Sequence, residues 1–146
     1  MTRILVVEDS AAMRAYIRAA LEAAPRAPAG GKTPLGDEVE VVEAASGFDA
    51  LRLLPRGSYD LVITDINMPD INGLELIKFV RDSEHHRGVA VMIVSTQSSD
   101  RDRARGLALG ADSFLAKPFT PEALREAVAS SLSARAAASG GEGRRG

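Results

Sequence analysis

The stretch "LVITDINMPDING", residues 61–73, decides the fold because it joins a buried strand to a helix through an acidic turn. Leu61, Val62 and Ile63 form an apolar run that ends on Asp65, so the strand directs an acid out of its end. A loop with Pro69 and Gly73 follows, and then a helical pattern begins. A carboxylate in this position makes Asp65 the first candidate functional residue.

Strands and helices alternate along the chain. Continuous apolar runs predict strands covered on both faces at 4–7, 61–64, 89–95 and 113–116. The segment 39–44 alternates apolar and charged residues, which predicts an edge strand. Helical patterns follow the strands after Ser10, Ser46 and Gly73, at 100–109 and after Thr120, with Ser10 and Thr120 as the expected N-caps of their helices. Five strand–helix units predict an α/β, doubly wound fold with right-handed crossovers.

Two segments do not fit this pattern. Residues 25–37 are rich in proline and glycine and predict a long flexible loop. Residues 134–146 are small, polar and glycine-rich and predict a disordered tail. The expected domain therefore covers residues 1–133.

Composition excludes several classes of function. The chain has 146 residues, a net charge of −2 and a pI near 5.7, which argues against a nucleic-acid-binding face. The absence of cysteine excludes disulfides and thiolate metal sites. No apolar run has the length of a signal peptide or a membrane span, so we expect a cytoplasmic protein without membrane contact.

Polar side chains collect where the predicted strands end. Glu8 and Asp9 follow the first strand, Asp65 ends the third, Ser95 ends the fourth and Lys117 follows the fifth. Sites in open α/β sheets form at the carboxyl ends of the strands. Crowded carboxylates repel one another, and Mg²⁺, which prefers oxygen ligands, relieves that repulsion. Acids, a cation, a lysine and a hydroxyl are the parts of a phosphoryl-transfer centre.

Four motifs occur in order: "VVEDS", "ITDINMPDINGLEL", "IVST" and "FLAKPF". Together they resemble the receiver domain of two-component response regulators over about residues 3–133, most closely the stand-alone, chemotaxis-type (CheY-like) receivers. The resemblance implies a flavodoxin-like fold, with a five-stranded parallel sheet in the order 2-1-3-4-5 known for flavodoxin and chemotaxis receivers.

The resemblance also implies roles for the acids. Asp65 would accept a phosphoryl group as an aspartyl phosphate. Mg²⁺ would be the cofactor, held by Glu8, Asp9, the side chain of Asp65 and the backbone carbonyl of Asn67.

Other roles follow from the same resemblance. Lys117 would pair with the phosphoryl oxygens, and its bond to Pro118 would be cis. Ser95 would donate a hydrogen bond to the new phosphoryl group, and Phe114 would be the aromatic switch that moves with it. Many chemotaxis receivers carry Tyr at that position, so Phe114 cannot offer a hydroxyl to a partner.

The implied function is a single-domain response regulator rather than an enzyme acting on other molecules. A sensor histidine kinase or phosphotransfer protein would donate the phosphoryl group, and a downstream protein would dock on about residues 100–132. The protein would be a monomer or weak dimer, catalysing at most its own phosphorylation and slow dephosphorylation.

Two alternatives stay open. A receiver-type adaptor could bind its partner without phosphorylation. An aspartate-nucleophile phosphatase is disfavoured because such enzymes place a D-x-D pattern after the first strand, whereas Asp65 follows the third and Asn67 stands two residues on. We interpret His85 and His86 as solvated loop residues rather than as a metal site.

Overall fold

Five parallel strands form one sheet in the order β2-β1-β3-β4-β5. The computed structural model describes residues 2–22, 39–68, 70–96 and 100–143, so the predicted loop at 25–37 lies outside the described residues. The strands are β1 (Thr2–Val7), β2 (Val39–Ala44), β3 (Leu61–Asp65), β4 (Ala90–Ser95) and β5 (Ser113–Ala116). The predicted doubly wound fold, the strand order and the edge position of β2 are confirmed.

Helices cover both faces of the sheet. They are α1 (Ala11–Glu22), α2 (Gly47–Leu53), α3 (Gly73–Asp82), α4 (Asp100–Leu109) and α5 (Pro121–Gly143), with a 3₁₀ turn at Leu54–Arg56. Ile4 and Val6 join a core with residues of α1 and α5, whereas Leu5 and Val7 join a second core with residues of α2 and α3. Alternate residues of a strand thus enter opposite cores, which explains the continuous apolar runs. No helix among the described residues is long and apolar enough to cross a membrane.

Side-chain caps fix where α1, α3 and α5 begin, as the Ser46 side chain does at α2. Ser10 Oγ accepts from Met13 N at 3.2 Å in α1, and Thr120 Oγ1 accepts from Ala123 N at 3.0 Å in α5, as the sequence predicted. At α3, Asn72 and Glu75 form a reciprocal capping box. This capping box ends the loop after β3 at a defined residue.

Three sequence predictions were wrong in part. The strand at 113–116 is the second edge of the sheet and is only half-buried, because no strand lies beyond it. Helix α5 continues to Gly143 instead of giving way to a disordered tail at 134, since the alanines that follow have high helix propensity. His86 is 8% exposed rather than solvated, whereas His85 is exposed.

Helix α4 rests on the sheet through a glycine. Gly106 is its only buried residue, and a Cβ there would lie 2.3 Å from Ile93 Cδ1 of β4. The helix therefore approaches the sheet closely at one point, and most of its other side chains, Leu107 among them, are exposed to solvent.

Candidate functional site

Three acids meet at the carboxyl ends of β1 and β3. The two strands are neighbours, and the pairing of Val7 with Thr64 places the next residues, Glu8 and Asp65, side by side. One carboxylate oxygen from each of Glu8, Asp9 and Asp65 lies within 4.8 Å of the others. We refer to these three residues as the acidic cluster, and the structure brings them together as the sequence predicted.

Lys117 bridges two of these acids. Its Nζ donates to Glu8 Oε1 at 2.6 Å and to Asp65 Oδ2 at 2.8 Å. All three side chains are at most 10% exposed. The lysine follows β5 directly, its backbone N–H bonds to Ser95 O at 2.8 Å, and its bond to Pro118 is cis. Residues from three different strands therefore converge on Asp65.

The electrostatics of the site are unbalanced. Three carboxylates face one ammonium group, which leaves two formal negative charges. Burial raises the pKa of Glu8, and the hydrogen bonds from Lys117 and the Ser10 N–H offset this only in part. Burial alone would lower the pKa of Lys117, but hydrogen bonds and charge from Asp65 and Glu8 raise it overall. The lysine stays charged, and the site still lacks positive charge.

The donor set fits a hard divalent cation. Carboxylate oxygens close together suit Mg²⁺, which binds through a few carboxylates and keeps several waters. Asp9 is exposed, so the cluster is open to solvent on that side. A cation of charge +2 would neutralise the two excess negative charges.

The loop after β3 is held in place from several sides. Asn67 N donates to Asp65 Oδ1 at 3.1 Å, which orients the carboxylate. Asp70 Oδ2 accepts from Phe48 N at 2.9 Å, and hydrogen bonds from this and other backbone amides lower the pKa of Asp70. At Gly73 a Cβ would lie 2.2 Å from Asp65 O, so the loop closes only over a glycine. Whether the Asn67 carbonyl binds a metal stays a prediction.

The two predicted switch residues lie on neighbouring strands. Asp65 pairs with Val94, so the next residue, Ser95, ends β4 beside the site, and it is fully buried. Phe114 on β5 is half-buried and packs against the core below α3. The guanidinium carbon of Arg103 lies 5.9 Å from the centre of its ring. The switch role of both residues stays a prediction.

Two contacts around the site were not predicted from the sequence. Arg14 Nη1 donates to Glu8 O at 2.6 Å, and Tyr16 Oη donates to Phe119 O at 2.7 Å. Both side chains come from α1 and bind backbone carbonyls of site loops. Neither pairing has a signal in the sequence, because it depends on how α1 packs.

The comparisons with known proteins point to one family. The sequence model of the response regulator receiver domain matches residues 4–129. A chemotaxis protein CheY homolog of Campylobacter jejuni is 35% identical over 125 residues, 85% of this chain and 87% of the relative. CheY1 of Helicobacter pylori is 33% identical over 125 residues, 85% of this chain and 91% of the relative. The solved structure of Vibrio cholerae CheY4 is similar at a TM-score of 0.73 and 31% identity, covering 88% of this chain and 96% of that one.

Proposed function

Because the chain belongs to the response regulator receiver family, we propose that it is a phosphorylation switch in which Asp65 accepts a phosphoryl group from a sensor histidine kinase or a phosphotransfer protein. The observation that supports this most directly is the double contact of Lys117 Nζ with Asp65 and Glu8 beside Asp9. The proposal makes Asp65 a nucleophile held ready by its neighbours.

The transfer is a displacement at phosphorus. An oxygen of Asp65 attacks, the bond from phosphorus to the donor imidazole nitrogen breaks, and an acyl phosphate forms while the electron pair stays on the imidazole. Asn67 N and Lys117 Nζ each donate to one Asp65 oxygen in the structure, so the orientation of the nucleophile is set.

Charge neutralisation is the main requirement of this step. The phosphoryl group adds about −2 to a site that already carries excess negative charge. Receiver domains generally bind Mg²⁺ at an acidic pocket, and here Glu8, Asp9, Asp65 and the Asn67 carbonyl would hold the ion. Bound Mg²⁺ supplies the positive charge that stabilises the transferring group. Lys117 supplies the remaining cation and pairs with the phosphoryl oxygens.

The output is a change of conformation rather than turnover of a substrate. The Ser95 hydroxyl donates to the new phosphoryl group, and Phe114 moves as Ser95 moves. Phosphorylation then shifts an equilibrium between two conformations, and a downstream protein recognises the second one on about residues 100–132. The chemotaxis proteins among the relatives support a role in chemotaxis or motility.

The phosphoacceptor is tested by mass spectrometry. A small-molecule phosphodonor with Mg²⁺ should add one phosphoryl group to the wild type and none to Asp65→Asn. The matched control is Asp82→Asn, an exposed aspartate at the end of α3 that should still be modified. Equal mass gain in wild type and Asp65→Asn would place the modification elsewhere.

The switch is tested by pull-down with phosphorylated and unphosphorylated protein. Partner capture should depend on phosphorylation and should be lost in Asp65→Asn. Capture that does not depend on Asp65 would favour a phosphorylation-independent adaptor, and steady turnover of a phosphate ester would favour an enzyme.

A further inference from the structure

Arg14 lies in the first turn of α1 and reaches back to the turn that carries two of the acids. Its backbone N–H bonds to Ser10 O at 2.9 Å, and its Nη1 donates to Glu8 O at 2.6 Å. Helical side chains lean toward the N-terminus of the helix, so an arginine at this position can span the turn. Its side chain is 17% exposed, which means that the guanidinium is held by protein on most sides.

The other end of this guanidinium is anchored on β2. Arg14 Nε donates to Glu43 Oε1 at 3.2 Å. The same strand also holds the Glu8 backbone directly, because Glu8 N donates to Ala44 O at 3.0 Å. The N–H of Glu8 is therefore tied to β2 by one hydrogen bond, and its carbonyl is tied to β2 through Arg14.

Holding this carbonyl fixes more than Glu8. The Glu8 carbonyl and the Asp9 amide belong to one planar peptide unit, so the position of the oxygen sets the orientation of the Asp9 backbone. The Glu8 carboxylate has its own restraints, from Lys117 Nζ and from Ser10 N at 2.9 Å. Asp9 is exposed, so packing does not restrain its carboxylate. The orientation of the peptide plane therefore influences where the Asp9 carboxylate lies.

We propose that Arg14 is a positioning residue for divalent-cation binding: it holds the Glu8 carbonyl, orients the Glu8–Asp9 peptide and thereby directs the Asp9 carboxylate toward the ion. The inference rests on the proposed function, because it takes the acidic cluster to be the Mg²⁺ site. The positioning contact of Arg14 and its charge predict opposite effects on Mg²⁺ affinity. Arg14 is a cation beside an anionic site, so removing its charge alone would tighten Mg²⁺ binding, whereas losing the positioning contact weakens it.

Arg18, one turn further along α1, is a matched control. Its Nη1 donates to the same glutamate, Glu43, at 2.6 Å, and its Nη2 donates to Val41 O at 2.7 Å. Within the described part of the chain it donates to no atom of residues 8–10. Arg18→Gln therefore removes the same charge and a contact to the same carboxylate, but leaves the Glu8 carbonyl bound.

The experiment is a calorimetric titration of MgCl₂ into metal-free wild type, Arg14→Gln and Arg18→Gln. We expect Arg14→Gln to bind Mg²⁺ about tenfold more weakly than the wild type, the size typical of losing a contact that orients a metal ligand. Arg18→Gln should bind at least as tightly as the wild type. In ¹H–¹⁵N spectra without Mg²⁺, the Asp9 amide signal should move in Arg14→Gln and stay in place in Arg18→Gln, which a general loss of stability would not produce.

Two results separate the inference from the proposed function. Mg²⁺ binding by Arg14→Gln that equals or exceeds that of Arg18→Gln overturns the role of Arg14 and leaves the proposed function intact. No Mg²⁺ binding by the wild type overturns the proposed metal site itself. Arg14→Lys gives the same test with less risk to folding, because it keeps the charge but cannot bridge Glu8 O and Glu43; we expect weaker binding, and wild-type affinity would overturn the inference.

Discussion

Two aspartates of this protein have the same exposure and opposite surroundings. The side chains of Asp65 and Asp112 are each 10% exposed. Asp65 ends β3 at the carboxyl edge of the sheet and shares one lysine with a second acid. Asp112 precedes β5 at the opposite edge, where Arg81 Nη2 and Arg135 Nη2 each donate to it at 3.0 Å. Burial therefore does not distinguish the proposed phosphoacceptor from a structural carboxylate.

The number of partners does distinguish them. Besides its two arginines, Asp112 accepts from Val91 N at 2.8 Å. Arg81 in turn donates to the carbonyl oxygens of Gly110, Arg87 and Val89. In this arginine cluster, Arg81, Asp112 and Arg135, two guanidinium groups face one carboxylate, so there is no deficit of positive charge. The acidic cluster has such a deficit, which is the condition for recruiting a cation or a phosphoryl group.

The largest expected effect is from the conservative change Asp112→Asn. It removes the charge that pairs with two largely buried guanidinium groups, which should cost about 2–3 kcal/mol of unfolding free energy. Urea denaturation measures this, and Mg²⁺ affinity should stay at the wild-type value. A loss below about 0.5 kcal/mol, the range of ordinary surface changes, would contradict the structural role of the arginine cluster.

The second largest expected effect is the stabilisation of the wild type by Mg²⁺. If Mg²⁺ binds the folded protein and not the unfolded chain, a Mg²⁺ concentration of ten times the dissociation constant adds about 1.4 kcal/mol to the free energy of unfolding. Thermal melts across a MgCl₂ titration check this, with Asp112→Asn as a variant that should keep the same increment. An unchanged melting temperature would mean that the excess negative charge does not recruit the ion.

Asp65→Asn, in the acidic cluster, should change the free energy of unfolding in the opposite direction from Asp112→Asn. Without Mg²⁺, Asp65→Asn removes one of three crowded carboxylates and should stabilise the protein by about 1 kcal/mol, as functional-site substitutions often do. Urea denaturation in the presence of a chelator measures it. Destabilisation comparable to that of Asp112→Asn would show that Asp65 is primarily a structural partner of Lys117.

The smallest expected effect is a pH dependence of stability that comes from His86. Burial, and next the charge of His85, lower the pKa of His86 below its ordinary value of 6.5. As pH falls below 6.5, the unfolded chain takes up the proton first, so stability is lost as pH falls from 6.5 through the lower folded pKa. Urea midpoints from pH 7.5 to 5.5 should fall more in the wild type than in His86→Gln. His85→Gln is the control that should keep most of the dependence, because burial is the larger cause of the lowered pKa of His86. Parallel curves for wild type and His86→Gln would contradict this prediction.

Much of the fold could be predicted because its signals are local. The apolar run before Asp65, the caps at Ser10 and Thr120 and the strand-helix alternation depend on neighbours in sequence. The half-exposure of β5 could not be predicted, because it depends on which strand forms the second edge. The helix beyond residue 133 differs from the predicted tail because alanines of high helix propensity precede the glycines.

The residues of the candidate site also divide into those that local sequence signals predict and those that depend on tertiary packing. Its acids and lysine were found because each follows a strand directly and the motifs occur in order. Arg14 and the arginine cluster were missed because long arginine side chains bind partners that only tertiary packing supplies. Asp112 lies 21 residues from Val91 and 23 residues from Arg135, and no spacing rule connects such residues.

Gly106 has a consequence for how α4 can move. This helix meets the sheet at Gly106, whose backbone lies against the terminal methyl of Ile93, and Leu109 at its end packs partly buried against the core. Gly106 is the one buried residue of α4, so sliding or tilting this helix would separate little packed surface. A methyl group added at position 106 would meet the end of the Ile93 side chain, so either that side chain or the helix would have to shift.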